Sequence, residues 1–311
     1  MGDTTTHKAH AVYVFDRHQQ RLIKEELYPS LTRLLWQKPW GFAVSEIFAK
    51  HPSFSRLAGV WHNCAWSRVH IAHFVKQNNI CLDELEKNLH QFRSFNDFFT
   101  RKLKPQARPI NYKPRALISP ADCRVLVYCI DSNTVVPIKG KTFCIDQLLG
   151  NTQAVQQFTG GICIVCRLNV SDYHRFCYVD DCSHKAVTTI AGYYRAVNPW
   201  SLANHKDVFC KNQRQLTLLQ TKQFGLIAHI DVGALAVGKI RQHFAQGTQA
   251  RKGQEKGLFE FGASTIVLLL QPNKVRIDED IVQHTQRGIE TRVRYGEQIG
   301  TAATCDIVNH A

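Results

Sequence analysis

Past Pro109 this chain of 311 residues breaks into short apolar runs, each about as long as one strand and each fenced by turn residues. Residues 125–130, 161–168, 226–236 and 265–270 are such runs. None approaches the roughly 18–20 apolar residues that a bilayer-spanning helix needs. Runs this short, rich in Val, Ile and Leu, read as buried strands. Gly150, Gly160-Gly161, Gly192, Asn198-Pro199 and Gly225 punctuate them. Residues 101–311 are therefore expected to form a mostly β domain. Residues 245–257 carry Gln, Gly, Lys and Arg with few apolar side chains, and read as an exposed loop.

The first hundred residues have a different pattern. Leu27, Leu31, Leu34 and Leu35 recur at helical spacing with Lys24, Arg33 and Lys38 interleaved. Trp36, Trp40, Phe42, Phe54, Leu57, Trp61 and Trp66 then set aromatic surface among basic residues. Indole rings favour the membrane–water interface, and basic amphipathic segments suit anionic headgroups. The same rings could equally pack the helices on one another. The expected architecture is α+β: a helical, membrane-associating region over 1–100, then the β-rich domain over 101–311.

Charge agrees with a polyanionic partner, since 39 basic against 25 acidic residues give +14. That excess does not choose between nucleic acid and an anionic membrane surface. No zinc-finger, RNP or helix-turn-helix pattern supports nucleic acid. Eleven cysteines, an odd number in a long chain without a secretory leader, are expected to be reduced thiols. Cys163 and Cys166 stand three apart inside a strand run, so they should face opposite sides of a sheet. No metal site is expected.

Three segments carry possible chemistry. Gly262 and Ala263 precede Ser264-Thr265 at the mouth of an apolar run. A serine there could attack the carbonyl before it, given a base and oxyanion donors. The run Arg167-Leu-Asn-Val-Ser-Asp-Tyr-His-Arg-Phe176 places His174 among polar residues after a strand, where a histidine can serve as a base. Ser119-Pro-Ala-Asp122 puts a carboxylate in a turn, where it could orient a histidine. Each pattern alone is more often an ordinary turn.

Together and in order, these pieces resemble the phosphatidylserine decarboxylase family. Phe95-Asn-Asp-Phe-Phe-Thr-Arg101 resembles its catalytic-domain entry, and Ser119-Pro-Ala-Asp122 its aspartate motif. Lys139-Gly-Lys-Thr-Phe143 with Leu148-Leu-Gly150 matches a following block. Asp172-Tyr-His-Arg-Phe176 resembles its histidine motif, and Val197-Asn-Pro199 the turn after it. Phe224-Gly225, Val232-Gly-Ala234 and Val237-Gly-Lys-Ile240 resemble its glycine-punctuated strands. Lys252-Gly-Gln-Glu-Lys-Gly257 and Phe259-Glu-Phe-Gly-Ala-Ser-Thr265 resemble its cleavage site.

The resemblance implies an Asp122–His174–Ser264 triad that cuts the chain between Ala263 and Ser264. Ser264 would attack the Ala263 carbonyl to give an ester. Elimination would release a β chain of 1–263, and loss of ammonia would leave a pyruvoyl group at the start of an α chain of 264–311. That covalent group, binding the substrate amine as a Schiff base, would convert phosphatidylserine to phosphatidylethanolamine and carbon dioxide. The family also implies a homodimer, peripheral on the cytoplasmic face of a membrane.

Three positions depart from the family pattern. Cys177 stands where a second histidine is common, Ala263 where glycine is common, and Cys123 follows the motif aspartate in place of a glycine. Cys177 is a possible auxiliary to the triad, although a neutral thiol is a poor base. The competing expectations are a pyruvoyl decarboxylase of a soluble amino acid and a lipid-binding relative that does not process itself.

Overall fold

The protein is described by a computed structural model covering residues 12–25, 60–131, 135–138, 141–150, 154–193, 208–233, 240–261 and 264–303. β1 (Val12–Asp16) and β2 (Arg21–Glu25) form an antiparallel hairpin. After a helical stretch come β3 (Ala116–Ile118), β4 (Cys123–Cys129), and a ribbon of β5 (Val135–Ile138) with β6 (Lys141–Cys144). β7 (Ile162–Arg167), β8 (Arg175–Cys177), β9 (Cys182–Ile190), β10 (Arg214–Thr221) and β11 (Leu226–Val232) follow. The last strands are β12 (Ile240–Gln242), β13 (Gln249–Ala250), β14 (Glu255–Phe259), β15 (Thr265–Leu270), β16 (Val275–Ile277), β17 (Glu290–Val293) and β18 (Gln298–Ala302).

One large sheet runs β13-β9-β10-β11-β15-β7-β4-β17-β1-β2. At its centre β15 pairs antiparallel with β7, Thr265 opposite Arg167 and Leu270 opposite Ile162. All six residues of β15 are buried. Val125, Cys166, Ile266 and Leu268 pack into one core, and Cys163, Val165, Val267 and Leu269 into another. A strand covered on both faces reads as an unbroken apolar run, which is why these segments show no alternation. Cys163 and Cys166 do fall on opposite faces, as their spacing requires.

The N-terminal expectation needs correcting. Residues 12–25 are a hairpin of the large sheet, with β1 parallel to β17. Val14 is buried and Tyr13 exposed, while Glu25 is buried and Lys24 exposed. That alternation is a strand's, and it was hidden because Asp16 and Glu25 are buried while Tyr13 and Leu22 face outward. Helix does occur at His70–Gln77 and at the single turn and a half of Phe95–Phe99. There Ile71, Leu85, Phe92, Phe95, Phe98 and Phe99 make a third, separate core. The leucine pattern of 27–35, the aromatics Trp36, Trp40, Phe42 and Phe54, and Leu57 lie outside the described residues, as do Lys139-Gly140, the 197–199 turn, and Ala234 with 237–239.

Residues 245–257 are also not a free loop. They contain β13 and the start of β14, with Ala250, Lys252 and Lys256 buried. Lys256 Nζ sits 2.7 Å from Asp231 Oδ2 and donates to Gln242 Oε1 at 3.0 Å, so its charge is met inside the protein. Gly257 is required here: a Cβ would lie 2.3 Å from the Arg241 carbonyl oxygen and 2.8 Å from the Phe176 ring.

Candidate active site

Ser264 lies immediately before β15 and is fully buried. Its carbonyl accepts the Leu168 N–H at 2.9 Å, one rung beyond the β7–β15 ladder. The serine is thereby fixed to the sheet through its backbone while its side chain stays unengaged: among the described residues Oγ makes no hydrogen bond, and neither does the neighbouring Thr265 Oγ1.

The chain leaving β7 makes a tight turn in which Asp172 Oδ2 accepts the Asn169 N–H at 2.7 Å and Asp172 N donates back to Asn169 O at 2.9 Å. Arg124 of β4 pairs with the Asp172 carboxylate. This turn presents His174. Its Nδ1 lies 3.0 Å from the Asp172 carbonyl, which can only accept, so Nδ1 carries the proton. Nε2 then holds the lone pair, and it makes no hydrogen bond. Burial, reinforced by the Arg101 guanidinium, pushes the imidazole down to about 3, so it is neutral across the physiological range. That is the state a general base needs.

Arg101 holds the same turn from the other side. Its NH2 group donates to the Ser171 and Asp172 carbonyls at 2.9 and 3.0 Å. Burial lowers its own pKa to about 10, which still leaves it charged. Phe99 closes the site, its ring 4.0 Å from His174 and 5.1 Å from Phe261, three residues before Ser264. No hydrogen bond joins His174 to Ser264.

Asp122 is placed differently from a triad member that orients His174. Arg108 grips its carboxylate through Nε at 2.7 Å and NH2 at 2.6 Å, and the Tyr295 N–H donates at 2.8 Å. Burial raises its pKa, but the Arg108 contacts outweigh that and hold it below the usual carboxylate value. His174 takes its orientation from the Asp172 main chain instead. Cys177, also fully buried, points its thiol at the Ser119 carbonyl, 3.8 Å away. Burial pushes the thiol well above its ordinary range, so it stays protonated. Ala263 lies outside the described residues.

A model of the family described as phosphatidylserine decarboxylase matches residues 95–301. Among curated relatives, a Clostridium perfringens phosphatidylserine decarboxylase proenzyme is 41% identical over 85% of this chain and 90% of its own. A Chlamydia felis protein of the same name is 37% identical, covering 93% of this chain and 97% of its own. A third, from Clostridium novyi, is 37% identical over 93% and 99%. The chain belongs to the phosphatidylserine decarboxylase family.

Within this family member, the site contains groups that motif reading passed over. Asp172 counted only as a polar neighbour of His174, yet its carbonyl fixes the histidine's tautomer. A backbone carbonyl leaves no trace in sequence. Arg124 and Arg167 do leave one, as charged residues inside apolar runs. Arg167 pairs with Glu290 and Glu25, and Arg124 with Glu25 and Asp172, in one buried ionic network.

Proposed function

We propose that the protein is a self-processing phosphatidylserine decarboxylase in which Ser264 is both the cleavage nucleophile and the precursor of a pyruvoyl group. The observation that carries this reading is a buried serine hydroxyl, unengaged by any hydrogen bond, at the mouth of β15 in a chain of this family. A group converted chemically in place suits a residue whose backbone is tied and whose side chain is not. His174 Nε2, neutral and unpaired, takes the Oγ proton as Ser264 attacks the Ala263 carbonyl. Its Nδ1–H stays on the Asp172 carbonyl throughout. Asp122, locked by Arg108, contributes fixed negative charge near the imidazole rather than a direct hydrogen bond. Cys177, held protonated, supports packing. Once formed, the pyruvoyl group supplies an electron sink for decarboxylation at an amine-bearing carbon.

Phosphatidylserine reaches such a site from a membrane surface. Val60, Trp61, Trp66 and Val69 are exposed, Trp66 by 85%, on one short segment with Arg68. Its His62 stacks on Phe261 at 4.2 Å, so this apolar edge adjoins the scissile segment. Exposed indoles beside basic residues favour the bilayer interface. Among the described residues no helix is long and apolar enough to cross a membrane. Peripheral attachment by this edge is the reading, on the cytoplasmic face and as a homodimer by family resemblance.

Intact-mass measurement of the purified protein tests the proposal. The expected result is two chains divided between 263 and 264, the second lighter than a serine-initiated chain by one ammonia. Ser264→Ala and His174→Ala should each remain a single chain. Turnover of soluble amino acids but not of phosphatidylserine vesicles would sink the substrate assignment.

A further inference from the structure

Among the described residues, the helix Phe95–Phe99 meets the scissile segment through one polar contact. Asn96, buried, accepts the Phe261 N–H on its side-chain oxygen at 3.0 Å and donates its amide to Asn63 Oδ1 at 3.0 Å. The Phe261 ring is set edge-on against Phe95 and Phe99, each 5.1 Å away, and lies over His62. The helix itself is well fixed. Ser94 accepts the Asp97 N–H at 3.1 Å, Asp97 accepts the Arg93 N–H at 2.9 Å, and Ser67 Oγ accepts the Phe95 N–H at 2.9 Å. Phe99 of the same helix lies on the His174 ring, and Arg101 just beyond it holds the carbonyl that orients His174.

We infer that Asn96 is a positioning residue for self-cleavage. Its amide oxygen holds the Phe261 N–H, and so indexes the segment before Ser264 to the helix whose Phe99 lies on the ring of the base, His174. The inference rests on Ser264 as the cleavage nucleophile. An aromatic ring alone can slide or turn on its neighbours. One directional hydrogen bond to the main chain two residues before Ala263 removes that freedom. Misplacement of reacting groups by about an ångström can cost a hundredfold in rate.

The experiment is a time course of cleavage by intact mass on freshly synthesised full-length protein. Asn96→Ala removes the acceptor and should slow cleavage at least tenfold, about 1.4 kcal/mol in the barrier. Asn96→Asp keeps an acceptor for the Phe261 N–H, and with the Asn63 amide turned over its NH2 meets the second carboxylate oxygen, so cleavage should stay within about threefold of wild type. Once matured, Asn96→Ala should turn over phosphatidylserine at a near-normal rate per cleaved chain, which a general loss of structure would not allow. Melting of the same substitutions in a Ser264→Ala background checks folding. Should the alanine variant not fold, Asn96→Asp carries the test alone, and a tenfold loss there overturns the inference. Cleavage of Asn96→Ala at the wild-type rate also overturns it and leaves Ser264 untouched. Wild-type protein that never divides between 263 and 264 defeats both readings together.

Discussion

Replacing Glu25 by alanine takes a carboxylate from a place where two guanidinium groups depend on it. Glu25 Oε1 lies 2.5 Å from Arg124 Nε, and Oε2 lies 2.6 Å from Arg167 NH2. Asn169 adds a hydrogen bond at 2.9 Å. All the charged partners are nearly sealed from solvent, so screening by water does not rescue the variant. Removing one partner of a buried pair costs about 3–5 kcal/mol. Arg124 keeps Asp172 and Arg167 keeps Glu290, which puts the cost near the lower end, about 3 kcal/mol. At roughly 2–4 °C per kcal/mol, melting should fall by about 6–12 °C. The assay is thermal unfolding of Glu25→Ala in the uncleaved Ser264→Ala background at neutral pH, beside Glu25→Gln, which keeps the acceptor and should lose less. Burial raises the Glu25 pKa, but Arg124 and Arg167 together bring it below the ordinary carboxylate value of 4.5. The stability it contributes is therefore complete above that value and lost as pH falls through the lower folded pKa. Parent and variant should converge in acid. A melting point unchanged at neutral pH, or a gap that widens in acid, would refute the reasoning.

Further outcomes follow from the same contacts. Arg101→Met removes a positive charge that helps keep His174 neutral, so the histidine's pKa rises and the acid limb of the cleavage rate moves to higher pH. An unmoved limb in a pH–rate profile would exclude Arg101 from that role. Cys177→Ala should retain cleavage, far from the 10²–10⁴-fold loss that removing a general base causes. A loss of that size in the mass time course would return the thiol to the chemistry. Burial holds His174 and His229 below the ordinary imidazole value of 6.5, so folding stability should decline as pH drops below 6.5, by up to about 1.4 kcal/mol per unit for each. Denaturant titrations across that range give the slope directly. Trp66→Ala should weaken binding to anionic vesicles while leaving self-cleavage intact, and unchanged vesicle partition would remove this edge from the membrane contact.

The sheet was legible where burial on both faces made the strands continuous apolar runs, as in β7 and β15. β1 and β2 escaped because two of their buried positions, Asp16 and Glu25, are acidic and two of their exposed ones, Tyr13 and Leu22, are apolar. Lys256 misled for a related reason. A lysine in a polar stretch signals solvent unless its partner is known, and Asp231 lies in a different strand 25 positions earlier. Motif order singled out Ser264 and His174, and the fold buries both, one at the mouth of β15 and one on the turn after β7. Their surroundings were not legible, because the groups that tune them act through main-chain atoms, such as the Asp172 carbonyl, or from distant segments, such as Asn96 and Glu25.

The unpaired atoms at this end of the sheet argue for function over stability. Ser264 Oγ, Thr265 Oγ1, His174 Nε2 and Arg101 Nε are all buried without a hydrogen bond. Each such group costs about 1–3 kcal/mol, so a fold selected for stability alone would pair them. A nucleophilic hydroxyl tied to a carbonyl, or a base whose lone pair already accepts a donor, would first have to break that bond to react. Leaving both unengaged is tolerable only if neither can wander. The backbone of Ser264 is pinned to Leu168, the ring of His174 to the Asp172 carbonyl and Phe99, and the Asp172 turn to Arg101 and Arg124. The buried ionic network follows from the same need. Charges that would be replaceable by apolar packing elsewhere here fix the direction of a turn that a hydrophobic contact would let rotate.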